Sequence, residues 1–301
     1  MSKNITGMGL VAIAAISWGS IGVVVSLLFG SLTIAPLMVG AVRLVLAAPL
    51  LLIWHRVVSG RWGFIMPARH HLLLVVGGLA FAGYQVAYFA AIPQIGVALA
   101  VMFNICSAPI VTAVITGIVL RERLSITQWL ALLGAVGGAA LLVYGGKASV
   151  GGSLMWGIGC AVTAGVCYSL MAIVSRQVAP HHAPATPLAY MFSVAAVVLT
   201  GVLCLTQPID LGLSPLAWLG LSYLALVPTC LSYVLYVRGL QQVTATTATT
   251  LTLFEPLTST ILAVLILGEQ LSLSAWVGAG VLLCCLVVFA WAQVGDARQQ
   301  A

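Results

Sequence analysis

From His70 to Leu120 the chain runs through 51 residues without one aspartate, glutamate, lysine or arginine. A helix crosses the hydrocarbon layer of a bilayer in about 20 residues, so this run reads as two consecutive spans with a break at Ile92-Pro93-Gln94. Composition extends that reading to the whole chain. Of the 301 residues 62% are apolar and 5% charged, where a soluble domain has roughly 45–50% and 25%. Charges and turn residues then cut the sequence into helices near 7–29, 34–55, 71–92, 95–119, 126–145, 152–175, 186–206, 215–239, 243–267 and 272–293. The predicted fold class is an all-α integral membrane protein of ten transmembrane helices, with no separate extramembrane domain. Lys3 followed by an apolar run imitates a signal peptide, but the run from Gly7 to Phe29 is longer than a signal's apolar core and is read as the first span.

The formal charge of +6 records topology and not a nucleic-acid partner. With the N-terminus in the cytoplasm, Lys3, Arg56, Arg61, Arg69, Arg121, Arg123, Arg176, Arg238 and Arg298 fall on the cytoplasmic side and Lys147 alone falls outside, as the positive-inside rule requires. Both termini of a cell-membrane protein are thus predicted to be cytoplasmic. The five histidines, His55, His70, His71, His181 and His182, also fall at cytoplasmic span ends, where solvated or headgroup-facing positions are expected in place of a metal site. Seven cysteines lie in apolar stretches without a CxxC or Cys/His spacing, so they read as small packing residues. No cofactor is called for.

A repeat organises the chain. Pro109 precedes Glu122 by 13 residues and Trp129 follows by 7; Pro256 precedes Glu269 by 13 and Trp276 follows by 7. The text around the glutamates, VLRERLSITQWL and ILGEQLSLSAWV, agrees at leucine, glutamate, leucine, serine and tryptophan with an offset of 147. Five spans separate the copies, and an odd number inverts the second copy in the membrane. Arg121 and Arg123 are accordingly replaced by Gly268 and Gln270 on the opposite side. Two inverted five-helix repeats (5+5) follow, residues 1–146 and 147–301.

These paired Pro…LxE(R/Q)LS…W signatures, with Trp18-Gly19 in the first span, Arg43 in the second and Phe254-Glu255-Pro256 in the ninth, resemble the EamA family of the drug/metabolite transporter superfamily over nearly the whole chain. The resemblance implies a ten-helix secondary active transporter of 5+5 inverted repeats. It would work by alternating access, exporting amino acids or similar small metabolites through a central cavity lined largely by spans 1, 3, 4, 6, 8 and 9. The first span has no acidic residue, so the membrane glutamate of the small multidrug-resistance relatives has no counterpart there.

Only two charges lie deep in spans, Arg43 and Glu255. An isolated charge at the bilayer centre costs about 2.5–3.5 kcal/mol on insertion scales, so both should face protein or a wet cavity. Either they form a fixed ion pair that locks the halves together, or Arg43 anchors a carboxylate while Glu255 takes a proton or a cation. Pro109 and Pro256 each remove a mid-helix donor, freeing the carbonyls of Ile105 and Thr252 and bending the two helices at matching depths. Asn104 lies just before the first of these, and Thr252, Thr258 and Ser259 share the Glu255 face by helical spacing. Trp18, Tyr84 with Tyr88, Tyr168, and Tyr233 with Tyr236 sit deep in spans, where buried hydroxyls need partners; they read as an amphipathic cavity wall or as core packing. Glu122 and Glu269 fall at span ends, where they cap the following helix or hold the turn. The Gly134-x-x-x-Gly138 motif and the ladder Gly157, Ala161, Gly165 read as close helix packing.

An intramembrane enzyme is disfavoured, because the only aspartates, Asp210 and Asp296, lie outside spans and neither HExxH nor GxSxG occurs. A channel is disfavoured by the absence of a filter sequence. The expected partners are a small-molecule substrate and the lipid bilayer, with protons as a candidate coupling ion and the oligomeric state open. Export of lipophilic cationic drugs is the alternative to amino-acid export. Arg43 discriminates between them, since it favours carboxylate-bearing cargo.

Overall fold

The computed structural model describes residues 2–29, 36–122, 124–144, 153–206, 212–268 and 270–299. Among these residues the structure consists of helices and the loops that join them, with no strand. Ten helices are long and apolar enough to cross a membrane: span 1 Asn4–Leu27, span 2 Pro36–Ser59, span 3 Ala68–Val97, span 4 Leu99–Val119, span 5 Ile126–Val143, span 6 Leu154–His181, span 7 Ala185–Thr206, span 8 Pro215–Leu240, span 9 Ala245–Leu267 and span 10 Leu273–Gly295. Lys147, Asp210, Arg123 and Glu269, all used in the sequence reading, lie outside the described residues.

Spans 3 and 4 do not part at Ile92-Pro93-Gln94. Pro93 stays helical, and the corner falls at Gly96, with φ 75° and ψ 164°. A proline's fixed φ is already helical, so near a helix end it costs one hydrogen bond and no turn. The positive φ needs a residue without a Cβ, and Gly96 is the residue that supplies it.

Spans 5, 6, 8, 9 and 10 start behind Ser125, Ser153, Ser214, Thr244 and Ser272, whose hydroxyls accept from the backbone N–H three residues on. At span 5 the Gln128 side chain returns the favour by accepting from the Ser125 N–H at 2.9 Å. The serines of the two repeat signatures are therefore the caps, and Glu122 is not. The turns before them also match. Arg121 with φ 55° and Gly268 with φ 69° are the left-handed residues ending spans 4 and 9, and they stand 147 positions apart.

Span 1 packs on spans 8 and 9, and span 6 packs on spans 3 and 4, while span 2 pairs with span 7 and span 5 with span 10. Exchanging each span with the one five places away leaves this list unchanged. Small residues set the distances. A Cβ on Gly138 would stand 2.5 Å from the Leu282 backbone nitrogen, and one on Gly278 would strike the backbone of Leu142, so spans 5 and 10 meet backbone to backbone. In the span 6 ladder, Gly157 lies against Ile95 and Gln94, and Gly165 against Asn104 and Ser107.

Replacing Gly278 with leucine should cost about 1–3 kcal/mol through overpacking and lower the thermal midpoint of the detergent-solubilised protein. Gly280→Leu, at a position with nothing within 4 Å of a new Cβ, should leave it unchanged. Equal midpoints for the two variants would refute the backbone contact.

Candidate functional site

The centre of the bundle is organised by two interruptions. In span 8 the helix widens to π geometry over Ala225–Leu231. Pro228 has no N–H, and the Leu224 carbonyl that it would have bonded is taken by the Thr229 hydroxyl at 2.7 Å. The Ser232 N–H bonds Thr229 and Val227, which leaves the Pro228 carbonyl without its helical donor. The Trp18 indole N–H fills that vacancy at 2.7 Å from span 1.

In span 9 the helices Ala245–Leu251 and Phe254–Leu267 are separated at Thr252 and Leu253. Pro256 sits in the first turn of the second piece, where a missing N–H costs nothing inside the helix. Gly19 lies against this restart: a Cβ there would be 2.9 Å from the Glu255 carbonyl oxygen and 2.7 Å from Thr258 Cβ. The Trp18-Gly19 pair therefore touches both interruptions, Trp18 through its donor and Gly19 through its lack of a side chain. Thr258 and Ser259 lie against span 1 at this contact, and the Thr258 hydroxyl bonds back to the Phe254 carbonyl at 2.9 Å. Pro109, by contrast, lies in a run with helical backbone angles. The carbonyl of its neighbour Ala108 accepts from Ser169 of span 6 at 2.9 Å.

Around these interruptions the deep aromatic residues form one connected group. Trp18 lies 4.8 Å from Tyr233 and 5.4 Å from Tyr236, ring centre to ring centre. Phe81 stacks on Phe192 at 4.8 Å and meets Tyr233 edge-on at 5.4 Å. Tyr84 links Tyr88 at 6.2 Å to Tyr168 at 5.7 Å, and Tyr168 reaches Tyr236 at 6.4 Å. Spans 1, 3, 6, 7 and 8 thus contribute to a single cluster. Trp18, Tyr168, Tyr233 and Tyr236 are buried in it, whereas Tyr84 and Tyr88 keep accessible surface.

Arg43 and Glu255 face the same region. Both act electrostatically on Tyr84, Tyr88 and Tyr233 and on each other. They make no ion pair or hydrogen bond with any described residue, and Arg43 Nε is buried without a partner. Each keeps accessible surface, Arg43 in span 2 and Glu255 in span 9. Other unpartnered buried atoms are Gln85 Nε2, Asn104 Oδ1 and Ser17 Oγ, while the buried hydroxyls of Tyr168 and Tyr236 act on each other. An apolar medium penalises each such atom by about 1–3 kcal/mol unless something polar enters. The region therefore offers a cation and an amide donor on the side of spans 2 and 3, and a carboxylate with an amide acceptor on that of spans 9 and 4.

Gln85 and the span 8 interruption were not singled out from the sequence. Gln85 is buried and lies against Gly40 of span 2, where a new Cβ would be 3.3 Å from its Oε1. An amide in mid-span was itself the available signal; the tyrosine spacing drew the reading to the adjacent face. Glu122 lies apart from this centre. Its N–H bonds the Thr116 carbonyl at 3.2 Å, and burial raises its carboxyl pKa against the opposing pull of Arg176 and the Thr116 hydroxyl. It holds the turn between spans 4 and 5.

A model of the EamA-like transporter family matches residues 5–144 and again 155–291. An uncharacterized transporter of Bacillus subtilis, YwfM, is 33% identical over 298 residues, covering 96% of this chain and 94% of its own. An uncharacterized inner membrane transporter of Salmonella typhimurium, YicL, is 26% identical over 310 residues, covering 100% and 99%. A protein of known crystal structure, 17% identical, superposes with a TM-score of 0.78 over 97% of this chain and 99% of its own, which shows the shared fold. With two family matches that together span most of its length, this chain belongs to the EamA-like transporter family.

Proposed function

We propose that the protein is a secondary active transporter that exports amino acids or similar small zwitterionic metabolites from the cytoplasm by alternating access. The observation that carries this reading is that Arg43 and Glu255, unpaired with any described residue, act on the same tyrosines, Tyr84, Tyr88 and Tyr233. A guanidinium with Gln85 beside it suits a carboxylate, which it can hold through parallel hydrogen bonds. Glu255 with Asn104 suits an ammonium group, and the tyrosines and Trp18 provide an amphipathic wall for an apolar side chain. The zwitterion supplies the polar partners that the buried atoms lack, so binding replaces a penalty with satisfied bonds.

Residues 1–146 and 147–301 act in this scheme as inverted halves rocking about the centre, a reading supported by the paired turns at Arg121 and Gly268 and by the exchange-invariant packing. The interruptions at Pro228 and before Pro256 are the points that bend. Both termini lie on the arginine-rich, cytoplasmic side. Glu255 is also the group through which a proton would couple to transport. Export of lipophilic cations draws support from the aromatic cluster, but Arg43 opposes a cationic cargo by direct repulsion.

Solute counterflow in proteoliposomes, with labelled amino acids and lipophilic cations and with or without a pH gradient, tests the proposal. Saturable exchange of amino acids is expected, and exchange of cations alone would replace the reading by drug export. Arg43→Gln should weaken amino-acid exchange at least about tenfold through loss of a charge-assisted bond, with normal insertion; unimpaired exchange would remove Arg43 from the site. Glu255→Gln should abolish exchange or its pH dependence. Trp18→Phe keeps the ring and deletes the donor, so the Pro228 carbonyl is left unsatisfied at a cost of about 1–3 kcal/mol. A lower melting midpoint and slower turnover are expected, and wild-type values for both would show that the bond does not hold the centre.

A further inference from the structure

Away from the transport centre, at the arginine-rich face, the structure gathers residues that are far apart in sequence. The end of span 2, the connection to span 3, the end of span 6 and the start of span 7 enclose a cavity of about 230 Å³ whose lining includes His55, Ser59, Arg61, His181, His182 and Thr186. His55 is buried and fixed, with Nδ1 3.0 Å from the Thr186 hydroxyl and Nε2 3.4 Å from the Ser59 hydroxyl. It also stacks on Phe64 at 4.6 Å. The sequence reading of all five histidines as solvated or headgroup-facing therefore fails for His55. His70 Nδ1 meets His182 Nε2 at 3.0 Å, and the His181 ring is 5.2 Å from that of His70. The wall carrying His182 is held from outside, since the Gln241 amide donates to the Ala179 and His182 carbonyls at 2.8 and 3.1 Å.

The charges of this neighbourhood share one sign. Span 2 contributes His55, the connection to span 3 Arg61, the start of span 3 Arg69, His70 and His71, and the end of span 6 His181 and His182. Span 7 contributes the neutral Thr186 and Tyr190, and the segment after span 8 the neutral Gln241. The electrostatic neighbours of His70 and His182 are histidines and an arginine, and no carboxylate is among them. A hydrogen bond between two imidazoles requires one of them to be neutral. The cluster thus holds down its own charge and lacks a counter-ion. Trp54 and Trp62, both exposed, stand beside His55 and Arg61 at the level where a headgroup belongs, and Val58 and Ile65 form an apolar edge of the cavity.

We propose that this cavity is a binding site for a phosphate group, either the phosphodiester of an anionic lipid headgroup or free phosphate. Arg61 and His181 approach the anion from the open side, His182 donates from the inner wall, and the Thr186 hydroxyl completes the oxygen contacts, while the Ser59 hydroxyl, which donates to the Arg61 carbonyl at 3.0 Å, fixes the Arg61 backbone. Burial, with the neighbouring imidazoles of His70 and His181 adding to it, lowers the pKa of the His182 imidazole. A bound anion favours the imidazolium, so binding takes up a proton and tightens as pH falls.

The test uses the purified full-length protein and reads the shift of its melting midpoint with added ligand, a measurement independent of transport. The probes are phosphatidylglycerol, phosphatidylcholine of the same acyl chains, and inorganic phosphate. Phosphatidylglycerol should raise the midpoint where phosphatidylcholine does not. The apparent affinity should fall about tenfold or more in Arg61→Gln/His181→Gln, two exposed positions whose loss leaves the unliganded fold intact. Arg238→Gln, an exposed charge removed elsewhere on the same face, should keep the wild-type affinity. A variant-sensitive shift with inorganic phosphate as well assigns the site to soluble phosphate; with the lipid alone, to the headgroup. No variant-sensitive shift with either probe, or an equal loss in Arg238→Gln, overturns the proposal. As a check free of mutation, wild-type affinity for phosphatidylglycerol, whose phosphodiester keeps a constant charge over the range, should tighten between about pH 8 and pH 6, and a flat profile would also overturn the proposal.

Discussion

A carbonyl without a donor inside a bilayer has no water to turn to, and the Pro228 carbonyl is such a group until the Trp18 indole reaches it. Much of the central architecture depends on that bond. It ties span 1 to the widened part of span 8, it sets the Trp18 ring against Tyr233 and Tyr236, and it brings Gly19 onto the restart of span 9. A side chain at Gly19 would push span 1 away from Glu255, and a weaker donor at Trp18 would leave span 8 with an unpaid carbonyl. The dipeptide is therefore a structural joint between the two halves of the chain, placed where the polar groups gather.

The joint explains why the charged centre is stable without an ion pair. A closed Arg43–Glu255 pair would satisfy both groups and remove the reason for a polar cargo to enter. Aromatic packing from five spans instead fixes the surrounding backbone, so the two charges are held apart by a scaffold that does not need their attraction. The cost of leaving Arg43 Nε, Gln85 Nε2 and Asn104 Oδ1 unpartnered is borne by that packing, and in the proposed function the same atoms are the ones a polar cargo would satisfy. Strain of this kind is what a carrier requires, because a fully satisfied centre would favour the empty state over the loaded one.

The spans were legible in the sequence because hydropathy and charge are local signals. Arg43 and Glu255 were legible for the same reason: a charge in mid-span stands out against its neighbours. What was not legible depended on partners. The corner between spans 3 and 4 went to Gly96 and not to Pro93, because the two residues differ in the φ each can adopt once the helices are packed. The capping of span 5 fell to Ser125 and Gln128, while Glu122 turned toward Thr116 and Arg176. The widened turn of span 8 has Pro228 as its only sequence mark, and its consequence appears only when a tryptophan 210 positions away is brought to it.

The histidines make the same point from the other side of the molecule. Read singly, each is an ordinary residue at a membrane boundary. Assembled, His55 is part of the packing, whereas His70, His181 and His182 crowd together with arginines and no acid. Like charges converge at a stable surface only if some are neutral or if an anion joins them. The first condition is already visible in the bond between His70 and His182. The second is the proposed phosphate site, which would tie the connection between spans 6 and 7 to a bound anion. Because span 6 packs along spans 3 and 4, which carry Tyr84, Gln85 and Asn104, a ligand that fixed the end of span 6 would act on one wall of the proposed transport centre through a continuous helix.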